Sequence, residues 1–254
     1  ISIVFSGLST GGFSPVKNLQ LFGSNALNLI VAVMITGGIS FYIHHSIFFK
    51  KFSNLKSEEL LIFLIIIFLF SILFFIYSGL DYFTSLFHVT SATTATGFSF
   101  LDLNNLQQPL KVLLMMLMFI GGSSFSTSGG IKIYRILIFF KSIGYTIRKK
   151  LGYEDKLLVE GREVSDNEIL LHLINVFLSI ILVFICSFIF SLYGHNFLDS
   201  VFECVSAFSN AGLSTGIVSI HLNFIEKLLL ILLMGIGRVE AIVFFIAIFR
   251  VKNK

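Results

Sequence analysis

An all-α membrane protein assembled from repeated units of helix, re-entrant loop and helix is the fold class that three observations predict. The first is composition. Of 254 residues, 56% are hydrophobic and 13% charged, with a mean hydropathy of +0.93, too apolar for one water-soluble core. The second is that the apolar runs are continuous rather than alternating, which selects helices over a transmembrane barrel. The third is an internal repeat. The pattern Ser/Thr-x-x-Gly-Phe/Leu-Ser occurs at Ser9-Thr10-Gly11-Gly12-Phe13-Ser14, at Thr94-Ala95-Thr96-Gly97-Phe98-Ser99 and at Ser209-Asn210-Ala211-Gly212-Leu213-Ser214.

Each copy follows a short apolar segment rich in hydroxyl residues and precedes a polar stretch and then a long apolar run. Residues 1 to 8 read as the end of a short helix leading into the first copy, and Pro15 to Gly23 as its polar exit. Opening at Ile1-Ser2-Ile3, already within a repeat, the chain reads as truncated at its start. Ser24 to Phe49 is long enough to cross a bilayer core of about 30 Å at about 1.5 Å per residue. Leu60 to Leu80 is a second span. Tyr82 to Thr93 is too short and too polar to cross, carrying Thr84, Ser85, His88, Thr90 and Ser91, so it reads as re-entrant.

Pro109 suits the first turn of the next helix, Leu110 to Ile120. Small and polar residues from Gly121 to Gly130 then interrupt it around a single Phe125, before an apolar helix from Ile131 to Ile147. Non-helical backbone at membrane depth is tolerated only inside protein or against water, so this break lines a cavity. Arg148 to Glu163 is a charged loop. Glu168 to Tyr193 is a span, Phe197 to Ser209 a further short re-entrant segment, and Leu222 to Phe249 a last span interrupted at Gly235-Ile236-Gly237-Arg238-Val239-Glu240.

Of the eighteen Lys and Arg residues, twelve fall on one predicted side: Lys50, Lys51, Lys56, Lys141, Arg148, Lys149, Lys150, Lys156, Arg162, Arg250, Lys252 and Lys254. Lys17, Lys111 and Lys227 fall on the other. The positive-inside rule makes the first side cytoplasmic and places all three motif copies toward the exterior. The pI of about 9.0 is therefore a topological signal and implies no nucleic acid. Cys186 and Cys204 have no metal or redox spacing and point to no disulfide framework.

The motif suits a cation. Backbone carbonyls can replace an ion's water if the chain is extended along its path, glycine permits the dihedral angles that turn them inward, and Thr or Ser satisfies what remains. A short helix entering from outside aims its partially negative C-terminal end at the membrane centre, which favours cations over anions.

With these residues in view, the chain resembles the Trk/Ktr/HKT superfamily of potassium transporters, as its pore-forming subunit. The resemblance rests on Thr10-Gly11-Gly12-Phe13-Ser14, on Thr94 to Ser99 with Asp102, on Ser126-Thr127-Ser128-Gly129-Gly130-Ile131-Lys132, and on Gly237-Arg238-Val239-Glu240. It implies helix, pore loop, helix repeats, similar to potassium channel subunits, of which about two and a half of four are present: 1–51 ends the second, 52–150 is the third, and 151–254 is a cytoplasmic loop and the fourth. It further implies a plasma-membrane protein that takes up potassium and has no enzymatic activity. The filter walls would be Thr10 to Phe13, Ala95 to Phe98 (including Thr96 and Gly97) and Asn210 to Leu213 (including Ala211 and Gly212), with potassium as the transported ion at these residues. Gly121, Gly122, Ser126, Thr127, Ser128, Gly129 and Gly130 would form a gating loop below them, and Arg238 a positive barrier. A homodimer in membrane lipid, on a cytosolic nucleotide-binding regulatory subunit, is also implied. Phe125 departs from the small residue usual in the family at that position.

Sodium transport and sodium-coupled potassium symport remain open alternatives, as do an intramembrane hydrolase and a purely structural subunit. Gly7-Leu8-Ser9-Thr10-Gly11 and Gly212-Leu213-Ser214-Thr215-Gly216 match G-x-S-x-G but lack its strand-to-helix context, so both read as accidental. His44-His45 reads as interfacial packing rather than a metal site. Lys132 and Arg135, beyond the break, are expected to snorkel to the cytoplasmic interface. Arg238 is expected to face the path, with Glu240 pointing elsewhere on its helix. Glu203 is expected either to bond backbone nearby or to add negative field at the entrance.

Overall fold

The computed structural model of the chain describes residues 1–16, 19–50, 57–153, 156–244 and 246. Helices dominate. A short α1 (Ser2–Leu8) is followed by a 3-10 turn (Leu19–Phe22), α2 (Gly23–Gly38) and α3 (Phe41–Phe48). Next come α4 (Glu58–Ser78), α5 (Tyr82–Thr93), α6 (Gln108–Ile120) and α7 (Ile133–Lys150). A two-stranded antiparallel hairpin, β1 (Leu158–Val159) and β2 (Arg162–Glu163), leads to α8 (Asp166–Leu192), α9 (Phe197–Ser209) and α10 (Phe224–Val239).

The short helices start where side chains cap them. Asp81 accepts from the Thr84 amide at 2.9 Å and its hydroxyl at 2.7 Å to begin α5, and Asn196 accepts from the Leu198 amide at 2.9 Å to begin α9. Capping boxes open α8 (Ser165 with Glu168) and α10 (Asn223 with Glu226). Gly79, at φ +68°, ends α4 in the left-handed region that glycine adopts freely.

The apolar surface has two destinations. Leu114, Leu117, Met118, Phe190, Phe202 and Phe208 are buried where α6, α8 and α9 meet, and α5 packs against α2, α4 and α6. Other apolar side chains point outward: Leu61, Ile65, Phe68, Leu69 and Ile76 of α4 are exposed, on a helix of mean hydropathy 3.2. That surface is stable against lipid tails and costly against water. By length and composition, 19–38, α4 and α8 are each able to cross a membrane.

At one end, Lys141 pairs with Glu58 and Lys149 with Asp166, each at 2.5 Å, joining the start of α4, the end of α7 and the start of α8. This is the end that the basic residues mark as cytoplasmic. Lys17, Lys51, Lys56, Arg250, Lys252 and Lys254 lie outside the described residues. At the other end Lys111 of α6 pairs with Asp199 of α9 at 2.7 Å, both side chains largely buried. Removing one partner of such a pair strands the other charge, so Asp199→Asn is expected to destabilise the protein by about 3 kcal/mol, with Lys111→Met in the same chain restoring most of the loss. Thermal unfolding in detergent reads both.

Three elements differ from the sequence expectation. The run from Ser24 to Phe49 is two helices, because the backbone turns extended at Ile39 and Ser40 caps a new helix by accepting from the Tyr42 amide at 3.3 Å. The last span keeps its helix through Gly235 and Gly237 and breaks at Glu240, φ +78°, before helical turns resume at Ala241. The charged loop contains the hairpin, whose turn residues Glu160 and Gly161 both have positive φ, the geometry that fits the twist of paired strands.

Candidate functional site

The three motif copies share one backbone path. Thr10, Ala95 and Asn210 take φ of 53°, 51° and 54°, and two residues later Gly12, Gly97 and Gly212 take 66°, 87° and 85°. At the first set the left-handed turn stops the short helix; at the second only glycine escapes the Cβ penalty.

The turn is held by a serine to which the sequence reading assigned no role. Ser6, Ser91 and Ser206 each lie six positions before a motif glycine. Their carbonyls accept from the amides of Gly11 at 2.8 Å, Thr96 at 2.9 Å and Ala211 at 2.9 Å. Their hydroxyls grip the strand beyond: Ser6 accepts from the Phe13 amide at 2.6 Å, Ser91 donates to the Phe98 carbonyl at 2.7 Å, and Ser206 accepts from the Gly212 amide at 3.1 Å. Aligning the repeats on their glycines reveals this column. Ser206→Ala is expected to cost about 1 kcal/mol for the hydroxyl bond lost, measured as a fall in the thermal midpoint in detergent.

Adjacent copies meet at their glycines. A Cβ on Gly12 would stand 2.1 Å from the Thr96 carbonyl oxygen, and one on Gly97 would stand 1.8 Å from that of Ala211. Each contacted carbonyl precedes the next copy's glycine, so the three segments follow one another in chain order with the same hand. Gly212 and Phe13, at the two ends of this arc, are exposed. Carbonyls turned across such close contacts can replace the water of a dehydrated cation.

Above the turns, two side chains at matching positions brace the exit strands. Glu203 accepts from Ser214 Oγ at 2.7 Å and from the Thr215 amide at 2.8 Å and hydroxyl at 3.0 Å. His88 accepts at Nε2 from the Phe100 amide at 3.3 Å while its Nδ1–H donates to the Thr84 carbonyl at 2.8 Å. Glu203 therefore bonds its neighbours, the first of the two roles expected of it. Asp102 folds its own turn, accepting from the Asn104 amide and the Asn105 side chain. The hydroxyl of Ser214, bonded to Glu203, and Ser9, at the end of α1, sit on no strand-to-helix turn.

The break between α6 and α7 runs from Gly121 to Lys132 and packs directly beneath these turns. A Cβ on Gly129 would stand 1.6 Å from the Ser209 carbonyl oxygen, and one on Gly121 2.0 Å from that of Gly129. Thr127 Oγ1 lies 2.9 Å from both the Leu8 and Gly37 carbonyls, Ser123 donates its amide to Gly38 at 3.0 Å, and the Phe125 carbonyl accepts from the Phe41 amide at 2.9 Å. Inside the loop, Ser126 Oγ donates to the Ser123 carbonyl and Ser128 Oγ accepts from the Gly122 amide at 2.9 Å. Gly130, at φ +81°, returns the chain toward α7, where Ile131 donates to Phe119 at 2.9 Å. Phe125 is exposed, its ring outside this network.

Three cations remain after the two ends are assigned. Arg238 Nη1 donates to the Thr127 carbonyl at 3.0 Å, its side chain exposed below the turns. Lys132 and Arg135 do not snorkel. Lys132 Nζ turns back to the Ser128 carbonyl, and Arg135 donates to the Ile131 carbonyl at 2.7 Å and pairs with Glu240 at 2.5 Å. The unmet carbonyls of the broken backbone are nearer partners than the interface. Glu240 is accordingly the partner of Arg135, not of Arg238. Among the described residues no cluster of metal-ligating side chains occurs; His44 Nε2 faces the Thr36 carbonyl at 2.9 Å and His45 stacks on Phe49. Cys186 and Cys204 are both free and buried.

The family model for TrkH, a cation transport protein, matches residues 51–253. The chain belongs to the TrkH cation transport family. Members are membrane transporters rather than enzymes. An uncharacterized cation transporter of Methanocaldococcus jannaschii is 32% identical over 249 residues, 95% of this chain and 52% of the relative. Ktr system potassium uptake protein B of Bacillus subtilis is 28% identical over 260 residues, 94% of this chain and 57% of that one. The crystal structure of the potassium transporter TrkH from Vibrio parahaemolyticus superposes with a TM-score of 0.81 at 23% identity, over 92% of this chain and 54% of the other, a likeness of fold. The chain spans about half the length of these TrkH-family relatives.

Proposed function

We propose that the protein containing this chain takes up potassium across the cell membrane through a carbonyl-lined filter gated by the loop at 121–130. One observation carries the reading: the Gly97 Cα lies so close to the Ala211 carbonyl that no side chain fits between, and the same relation links Gly12 to Thr96. Packing alone does not require three copies of an αL turn with the same glycine-to-carbonyl contact between successive copies. The relatives named as potassium uptake proteins point to the same ion.

In this reading Thr10 to Phe13, Ala95 to Phe98 and Asn210 to Leu213 are three walls. A fourth, supplied by the part of the protein that the longer relatives also carry, stands between the exposed Gly212 and Phe13. The repeats divide at about residues 51 and 150, and the motifs face the exterior. An ion passing inward leaves the carbonyls, meets the loop and then Arg238, whose charge opposes a resting cation below the filter. Two copies of the subunit assemble in the membrane on a cytosolic nucleotide-binding regulatory partner. Rubidium uptake by the full-length protein in proteoliposomes tests the reading. It is expected to be suppressed by external potassium and not by sodium; equal suppression by sodium assigns a sodium pathway instead.

A further inference from the structure

The loop beneath the filter is also held from the cytoplasmic side, by groups that the motifs do not include. Glu59, in the first turn of α4, is buried, and its carboxylate accepts from the Ser124 amide of the loop at 2.5 Å. Its own amide donates to Glu160 Oε1 at 2.6 Å, and Ser57 Oγ donates to the same oxygen at 2.9 Å. Glu160 is the first turn residue of the hairpin, exposed at the cytoplasmic end and held at φ +53°. Lys141 fastens the other side of this joint, bonding Glu58 at 2.5 Å and the Leu158 carbonyl at 3.0 Å. The hairpin thus grips the start of α4 by the unmet Glu59 amide and the Ser57 hydroxyl, where a carboxylate is favoured, and α4 grips the loop.

We infer that Glu59 is a positioning residue for the gating loop and that Glu160 sets Glu59, so that the hairpin is the handle through which a displacement at the cytoplasmic surface reaches the loop. The strut is short. It runs from Glu160 to the Glu59 amide, through one side chain, to Ser124, and every bond in it is to a backbone amide that has no helical partner. A carboxylate that only capped α4 would stop at its first turn. Glu59 continues to a residue sixty-five positions away, next to the strained Phe125. The inference rests on the loop being a gate, and its test separates the two.

The experiment places a reporter at Ser123, which is buried in the loop and uses its backbone rather than its hydroxyl in the bonds described. In the full-length protein with Cys186, Cys204 and any further cysteine replaced by Ala, Ser123→Cys is labelled with a thiol reagent in proteoliposomes, and rubidium flux is measured on the same samples. Loss of one charge-assisted bond is expected to raise the labelling rate by about tenfold in Glu160→Ala and in Glu59→Ala. Glu59→Gln, which keeps an acceptor oxygen, is expected to stay within about twofold of the parent. Because both groups act in series, Glu160→Ala with Glu59→Ala is expected to match Glu59→Ala alone. Unchanged labelling in Glu160→Ala, whose site is exposed and tolerant of change, overturns the inference, and so do additive effects in the double variant. If labelling follows this pattern while the parent carries no rubidium flux, the strut stands and the transport reading falls.

Discussion

Replacing Gly97 by Ser is expected to cut rubidium uptake by about tenfold or more and to bring the rubidium-to-sodium ratio toward one. The added Cβ would stand 1.8 Å from the Ala211 carbonyl oxygen, well inside any real contact, and the backbone at φ +87° is one that side chains resist. Neither cost can be relieved locally. The Ala211 carbonyl is fixed because its own amide is bonded to Ser206 and the residue is buried, and the Gly97 turn is fixed by Ser91. The wall must therefore move outward, widening the space that carbonyls would share. A wider site replaces the water of a larger ion less well, so discrimination is lost with the flux. Uptake of both ions by the full-length protein measures this, with protein yield and thermal midpoint as controls for folding.

Arg238→Ala is expected to act in the opposite direction, raising rubidium flux by about fivefold. Two effects combine. The guanidinium is an exposed positive charge beside the loop, and it also donates to the Thr127 carbonyl at 3.0 Å, holding the loop at a second point besides Glu59. Removing it lowers the electrostatic barrier and frees one anchor of the loop. Arg238→Lys separates the two: it keeps the charge and loses the planar guanidinium, so flux between parent and alanine variant assigns the remainder to the bond. A fall in flux in Arg238→Ala would instead make the residue a structural prop.

The parts legible in the sequence were those with a local signature. Polar residues in short apolar segments marked α5 and α9, glycine at a fixed place in three motifs marked the turns, and the nine small or polar residues around Phe125 marked the break, which the structure extends to Lys132. The break at Gly38 to Ser40 was hidden because Ile39 and the residues beyond it keep the run apolar; what packs there, Phe63 and Thr94 against Gly38 and the Ser123 amide on the Gly38 carbonyl, is distant in sequence. The same holds for the hairpin, whose Glu160-Gly161 turn sits in a stretch that composition reads as a charged loop. Lys132 and Arg135 were misplaced for a physical reason. Snorkelling assumes intact helical backbone, whereas here the Ser128 and Ile131 carbonyls lie unpaired within reach. The role of Ser6, Ser91 and Ser206 was legible in principle, since their spacing to the motif glycines is constant, but a serine in a polar short helix reads only as one polar residue among several until the copies are aligned.

Backbone carbonyls of the three motifs, and not a water-filled gap between packed helices, are expected to hold the ion. Locating rubidium or thallium by anomalous scattering in crystals of the full-length protein tests it most directly. A peak is expected on the axis between the Thr96 and Ala211 carbonyls, weakening in Gly97→Ser. A peak at side-chain carboxylates elsewhere, or an axis without density in protein that still transports, would contradict it.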